Sequence, residues 1–251
     1  MSFLTRIAKN KTLVGSFIVL LMWQVLHIFI NSRVVPAPIE AIIMFFKLLR
    51  GDLLLHVGVS LYRIIVSVVI SLLIGVPLGL WIGLNKIADE VLSPAVYILY
   101  PIPKIAFLPV FMILLGLGDG SKLVLIITII IFPILLAARD GVKEISSQLF
   151  DSVKSLGLSR GQIFTNLVIP AVLPKIISAL RISIGISISA LFFSENFATT
   201  YGLGYFIMNT WAIVRYVEMF AGILALSFMG LIIFKLIDFI ERRLCPWIYI
   251  K

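Results

Sequence analysis

The sequence predicts an all-α integral membrane protein with about six transmembrane helices and a helical cytoplasmic loop. Of the 251 residues, 61% are hydrophobic and only 13% are charged, whereas soluble domains have roughly 25% charged residues. The apolar residues form runs close to or above the roughly 20 residues that a helix needs to cross a bilayer. The longest polar interruption falls within residues 140–178, so we predict one transmembrane domain, residues 1–251, that contains this loop.

Six apolar segments account for the predicted spans. They are residues 12–30, 57–84, 91–115 and 123–138, a fifth span that begins near Ala179, and residues 217–237. In the second span, Gly75, Gly79 and Gly83 recur at every fourth residue, which predicts a face for close helix packing. Between the first two spans, the run 39–49 has apolar residues at helical spacing, which predicts a helix lying on the outer membrane surface.

The distribution of basic residues predicts the orientation of the chain. Segments on one side of the predicted spans hold fourteen Lys and Arg residues, and those on the other side hold five. Because cytoplasmic loops carry the excess of Lys and Arg, we place residues 140–178 and both termini in the cytoplasm. The net charge of +9 is spread over loops rather than gathered on one stripe, so we expect the lipid bilayer of the cell membrane, and no nucleic acid, as a partner.

The polar loop contains a spaced pattern of residues. Asp151, Ser152 and Val153 are followed by Gly157 and then by Leu167, Ile169 and Pro170. A glycine between two helical runs lets the chain turn through positive φ, so we predict two short helices, 145–156 and 160–168, at a sharp angle. Proline fits the first turn of a helix because its missing N–H has no partner there, so Pro170 predicts the start of the next helix.

This pattern resembles the cytoplasmic EAA loop of ABC importer permeases, on which ATPase subunits dock. Asp151, Ser152 and Val153 stand where that family has Glu-Ala-Ala, and Asp151 keeps the negative charge. Further blocks, in order, resemble the nitrate, taurine and sulfonate branch of binding-protein-dependent permeases. They are Pro36 to Pro38, Ser60 to Arg63, Pro103 to Pro109, Gly116 with Gly118, and Glu195 followed by Gly202 and Gly204.

The resemblance implies a type I ABC importer fold and a permease that works as a dimer. It implies two partner ATPase subunits, which bind ATP and magnesium, and an extracytoplasmic solute-binding protein. By the same likeness this chain has no catalytic residue, metal or cofactor of its own. It would pass a small solute, such as nitrate, a sulfonate or taurine, across the plasma membrane.

The third predicted span is interrupted by prolines. Pro101, Pro103 and Pro109 free backbone carbonyl groups, which a membrane tolerates only where protein or a water-filled cavity satisfies them. We therefore take the segment 101–109 as a candidate lining of the transport pathway. Lys104 lies about thirteen residues from the inner end of the span, a helical rise of roughly 20 Å, so we expect a wet cavity or a counter-charge beside it. A cation in such a cavity would favour an anionic solute.

Glu195 and Ser187 complete the candidate pathway. A carboxylate inside the membrane is unfavourable unless it is paired or faces water, so Glu195 either faces the pathway or pairs with Arg63 or Lys104. Ser187 belongs to a face of small residues that suits either a pore lining or close helix packing. The members of this face are Ala179, Ser183, Ser187, Ala190 and Ser194.

Other functions remain open from the sequence. A permease of the same class for a pyrimidine vitamin precursor or a phosphonate would have the same architecture. A secondary transporter or channel would be built from internal repeats with paired broken helices, and no second proline-rich segment matches residues 101–109. An enzyme is the least favoured class, because the two histidines and the single cysteine form no metal-ligand or nucleophile cluster in the sequence.

Overall fold

A computed structural model describes residues 11–249, with side chains from Val14 onward. Its α-helices are α1 (Lys11–Ile30), α2 (Pro38–Leu48), α3 (Leu53–Leu84), α4 (Lys86–Leu99), α5 (Leu108–Leu115), α6 (Asp119–Lys143), α7 (Ser147–Ser155), α8 (Arg160–Ile163), α9 (Ile169–Ser194), α10 (Leu203–Ala212) and α11 (Tyr216–Leu244). A 3-10 turn (Lys104–Phe107) precedes α5, a π turn (Phe164–Val168) joins α8 to α9, and a 3-10 turn (Pro246–Ile248) follows α11. No strand occurs among residues 11–249, and the all-α prediction is confirmed.

Four helical stretches in this part of the chain are long and apolar enough to cross a membrane. They are α3, α6, the continuous run Arg160–Ser194 and α11. A fifth span is broken, because α4 and the stretch Lys104–Leu115 meet at an angle of 81°. Helix α1 is apolar, although its part with described side chains, Val14–Ile30, is shorter than the others. The predicted number of about six spans is reached when α1 is counted.

Helices α3 and α6 run parallel with one constant register. The hydroxyl groups of Ser67 and Ser71 donate to backbone carbonyls 56 positions further along the chain, at 3.3 and 3.4 Å. The same offset continues at Gly79, where an added Cβ would clash with the carbonyl oxygen of Leu135. Only glycine lets two helix backbones approach this closely, so the packing face predicted for the second span is confirmed.

Branched apolar side chains fill the centre of the bundle. Ile126, Ile130 and Ile134 follow one face of α6 and are fully buried in a core that includes Val172 of α9 and Met229 of α11. Lipid tails are as apolar as these side chains, so van der Waals packing, rather than exclusion of water, holds such helices together. Close packing of α6 therefore fixes the relative positions of α3 and α9, and α11 packs against α9 and α3.

The bundle has two ends that differ in chemistry. Helix α6 runs into the predicted polar loop, and α9 returns from it in the opposite direction, so that Glu195 comes back to Arg63 and Asp119. We call the end with residues 144–168 the loop end and the end with Arg63 the far end. Helix α11 runs toward the loop end, and its Asp238 binds Arg181 near the middle of α9.

The helix that contains the fifth predicted span begins before that span. Helix α9 begins at Ile169 with Pro170 in its first turn, as predicted, but it continues a helical run that starts at Arg160, so Pro170 follows the π turn without a break in the helix. The start of the membrane span near Ala179 stays a prediction. Pro174 lies inside the helix, where it removes one backbone N–H and with it one hydrogen bond to the preceding turn. Lys175 lies inside this helix rather than in a loop. Its ammonium group pairs with Glu144 at the loop end.

Candidate functional site

The predicted polar loop forms an elbow, which we define as residues 146–168. Ser146 begins α7, and its hydroxyl accepts from the N–H of Leu149. Ser159 begins α8 and exchanges hydrogen bonds with Gln162 in a capping box, at 2.8 and 3.4 Å, which satisfies free N–H groups at the helix start. Between the two helices Gly157 has a φ of 77°. The predicted positive φ and the first predicted short helix are therefore confirmed, whereas the second predicted helix, 160–168, is the first part of the run that continues to Ser194.

The elbow presents both charge and apolar side chains on its surface. Asp151 and Ser152 are exposed, whereas Val153 is half-buried. Leu149 is exposed as well, and Leu156 is 77% exposed at the turn.

The root of the elbow is anchored to the bundle. Leu167, Ile169 and Pro170 are half-buried where the chain re-enters it. The ammonium group of Lys175 in α9 pairs with the carboxylate of Glu144, which directly follows α6. The two ends of the elbow are thus tied to each other, and a force on its tip would reach α6 and α9 together.

The broken span places Lys104 at its bend. Pro101 and Pro103 have no N–H to pair with the last carbonyls of α4, and the ammonium group of Lys104 takes this role. It donates to the carbonyl of Leu99 at 2.9 Å and to that of Tyr100. Pro109 lies in the first turn of α5, where it leaves no backbone bond unmade.

A groove of about 240 Å³ lies at the bend and contains Lys104. Its walls come from the broken span, α6 and α9, and are formed by Tyr100, Ile102, Pro103, Lys104, Ile105, Ile129, Pro133 and Ile186. The ammonium nitrogen of Lys104 is 4.9 Å from the ring centre of Phe132, a cation–π distance. Two of the predicted pathway residues, Pro103 and Lys104, therefore line one groove, and Pro101 and Pro109 flank it in sequence.

Glu195 lies away from this groove, inside the far end of the bundle. Its carboxylate is 0% exposed and accepts from Arg63 Nη1 at 2.7 Å and from the N–H of Gly204 at 2.8 Å. The Ser60 hydroxyl lies 2.8 and 2.9 Å from its two oxygens. Of the two partners considered from the sequence, the structure pairs Glu195 with Arg63 and not with Lys104.

Arg63 and Lys122 complete a polar cluster that the sequence reasoning missed in part. We define the far-end cluster as Ser60, Arg63, Asp119, Lys122 and Glu195. Arg63 binds Asp119 as well as Glu195. Lys122 is 1% exposed and donates to the carbonyls of residues 117, 118 and 198. The position of Lys122 in the first turn of an apolar helix indicates that it needs polar partners. Which residues these are cannot be read from the sequence, because Ala198 is 76 positions away.

A wider groove of about 580 Å³ borders the far-end cluster. Arg63 has five N–H groups, and it makes five hydrogen bonds to protein oxygens. Lys122 has three N–H groups and three carbonyl partners. Because these donors are already engaged, this groove has little capacity to bind an anion, and the cluster fastens α3 to the segments around Asp119 and Glu195.

Ser187 is also interior to the bundle. It is fully buried, and its hydroxyl donates to the carbonyl of Ser183 at 2.8 Å. Ser183 and Ser194 on the same face are fully buried too. Of the two uses considered for this small face, the structure shows close helix packing.

Two features bear on other chemistry. Within residues 11–249, no group of three or more His, Cys, Asp or Glu side chains is arranged to hold a metal ion. Cys245 is fully buried after the end of α11, and burial raises the pKa of its thiol, which disfavours the reactive thiolate.

Comparison with known proteins connects this geometry to transport. Residues 75–248 match the model of the family described as binding-protein-dependent transport system inner membrane component. A taurine transport system permease protein of Escherichia coli is 32% identical over 76% of this chain and 70% of its own length. A putative aliphatic sulfonates transport permease protein of Bacillus subtilis is 27% identical over 94% and 87%. A formylaminopyrimidine transport permease protein of Halalkalibacterium halodurans is 26% identical over 91% and 92%.

Proposed function

The chain belongs to the family of binding-protein-dependent transport system inner membrane components, and from that premise we propose that it imports a small anion of the sulfonate type. It is a multi-pass membrane protein and a permease of the ABC importer class. The observation that carries the rest of the proposal is the exposed elbow with Gly157 at a φ of 77°. The elbow gives the permease a shaped surface on which an ATPase subunit can dock.

The solute is proposed from Lys104 and from the relatives. Lys104 has three N–H groups, and two of them are directed at the carbonyls of Leu99 and Tyr100. Its partners in the described part of the chain are these two carbonyls and the rings of Tyr100 and Phe132, and none of them is a carboxylate. One donor and a full positive charge therefore remain for a solute in the groove. A sulfonate group satisfies both, which agrees with the taurine and sulfonate relatives.

A neutral pyrimidine is the second candidate solute. The formylaminopyrimidine relative covers almost the whole chain, and an aromatic solute could stack in the groove against Tyr100. This candidate predicts transport that does not depend on the charge of Lys104.

The partners follow from the class of transporter. Two ATPase subunits would bind ATP and magnesium and dock on the elbows of two permease copies, and a solute-binding protein would deliver the anion at the far end. The excess of Lys and Arg at the loop end supports a cytoplasmic position for the elbow and both termini. ATP-driven closure of the ATPase pair would move the elbows and shift the permease between inward-facing and outward-facing states.

Reconstitution tests this proposal directly. The permease is purified with the ATPase that co-purifies with it, placed in liposomes, and assayed for uptake of labelled taurine, an alkanesulfonate, nitrate and a neutral pyrimidine. We expect uptake that requires ATP and favours the anions. Uptake driven by an ion gradient without ATP would instead show a secondary transporter, and preference for the pyrimidine would overturn the anion assignment while leaving the permease assignment intact.

A further inference from the structure

Asp89 forms a cluster of ion pairs between α4 and α6, apart from both the elbow and the groove that contains Lys104. Its carboxylate accepts from Arg139 Nε at 2.6 Å and from the ammonium group of Lys143 at 2.6 Å. It also accepts from the hydroxyl of Ser93 at 2.6 Å. Both basic residues are in the last part of α6, directly before the elbow.

The cluster follows one face of α4. Asp89, Ser93 and Tyr97 are spaced by four residues, so they lie in one row along the helix. The hydroxyl of Tyr97 accepts from Arg139 Nη1 at 2.9 Å, and the guanidinium group lies 5.4 Å from its ring centre. The single side chain of Arg139 therefore spans from one end of the row to the other and joins α4 to α6 over about two turns.

Little else holds α4 to the bundle. Apart from its sequence neighbour α3, no helix in residues 11–249 makes an extensive backbone contact with α4. Several of its apolar side chains are exposed, among them Ile98 at 69%, although Ala88 is buried. The polar row is therefore the main attachment between α4 and the helix that enters the elbow.

We propose that Asp89 is a positioning residue that ties the broken span to the root of the elbow. This inference rests on the proposed coupling to an ATPase. Helix α6 continues into the elbow, and Lys175 and Glu144 join the far side of the elbow to the same root. A displacement of the elbow moves Arg139 and Lys143, and through Asp89 it moves α4. The bend at Pro101 and Pro103 then changes the angle between α4 and α5 and with it the groove that contains Lys104.

A distance measurement on the complex tests this link. Cysteines carrying spin labels are placed at Ile98 in α4, which is 69% exposed, and at Ser147, which is exposed at the root of the elbow and away from its tip, while the buried Cys245 stays unlabelled. In the otherwise wild-type complex we expect one narrow distance distribution that is the same without nucleotide and in the ATP-bound state. In Asp89→Asn we expect a broad distribution, together with about a tenfold loss of labelled taurine imported per ATP hydrolysed, as expected for the loss of charged hydrogen bonds.

The matched control is Glu90→Gln in the same helix. Within residues 14–249, Glu90 pairs with Lys86 alone, at 3.9 Å, and both side chains are largely exposed, so this change should leave distances and import unchanged. Asp89→Asn should still fold, because the guanidinium group of Arg139 still pairs with Asp140 at 2.6 Å. Lys143→Gln is a second, milder variant, because it removes one of the ion pairs of Asp89 and leaves the one with Arg139. A narrow Ile98 to Ser147 distance in both variants would overturn the link. Failure of the proposed function is distinguishable, because it appears as absence of ATP-driven uptake in the wild type.

Discussion

Arg63 and Glu195 form a buried ion pair, 2.7 Å long, across 132 positions of the chain. Both side chains are almost completely excluded from solvent. Arg63 also holds Asp119 at 2.6 Å, so one guanidinium joins α3, the start of α6 and the end of α9. An unpaired charge at this position would be strongly unfavourable, and the pair therefore fixes the far end of the bundle.

Glu195→Gln should reduce assembly rather than the transport step. Removal of one partner from a buried pair is destabilising by about 3–5 kcal/mol. The loss of stability should be smaller here, because Arg63 still pairs with Asp119. We expect a lower thermal unfolding temperature and less assembled complex, with normal uptake per assembled complex. Normal stability with abolished uptake would show that Glu195 acts in the pathway after all. Glu40→Gln at an exposed position is the control for loss of one carboxylate.

Gly79→Val should destabilise the contact between α3 and α6. A Cβ at this position would clash with the carbonyl oxygen of Leu135 and lie 2.7 Å from the Cβ of Ala138, so the helices must separate. Overpacking of this kind is destabilising by about 1–3 kcal/mol or more. Thermal unfolding in detergent measures the effect. Gly58→Ala in the same helix is the control, because an added Cβ there meets nothing within 4 Å, and equal unfolding temperatures for both variants would contradict the packing argument.

Gly157→Val should uncouple ATP hydrolysis from transport while leaving the protein inserted. At a φ of 77° a side chain other than glycine is strained by about 1–3 kcal/mol, and a β-branched residue is strained most. The elbow would reshape and lose its docking surface. We expect reduced co-purification of the ATPase and loss of ATP-driven uptake at unchanged membrane abundance.

Two further variants make the Gly157 prediction specific. Gly157→Asn should retain much of the uptake, because asparagine tolerates positive φ. Gly161→Ala lies in α8 with free space around the added Cβ and should behave as wild type. Full coupling in Gly157→Val would contradict a role of this turn.

Local patterns in the sequence predicted the elbow and the glycine face, because each depends on residues only a few positions apart. Gly157 needs only its flanking helices, and Gly75 with Gly79 needs only the helical repeat. The far-end cluster and the row on α4 were not predicted in full, because Arg63 with Asp119, or Asp89 with Arg139, become neighbours only when distant helices pack. Prolines predicted the break in the third span, but the 81° angle depends on how α4 and α5 pack in the bundle.

Lys104→Met should raise the apparent KM for an anionic solute. The ammonium group supplies a charged hydrogen bond to the proposed sulfonate, and loss of such a bond weakens binding by about tenfold or more. Lys104→Arg should keep a KM closer to that of the wild type, because it retains the charge and the donors. Uptake of labelled taurine at varied concentration measures KM and the maximal rate separately.

The same measurement distinguishes two roles of Lys104, which are binding of the solute and stabilisation of the bend between α4 and α5. Lys104 also donates to the last carbonyls of α4, so its loss could alter the broken span without any contact to solute. In that case the maximal rate would fall while KM stayed constant, and transport of a neutral pyrimidine would fall by the same factor as transport of taurine. A raised KM for taurine alone, with pyrimidine transport unaffected, assigns the charge of Lys104 to recognition of the anion. Lys86→Met, which alters an exposed lysine of the same broken span, should change neither quantity.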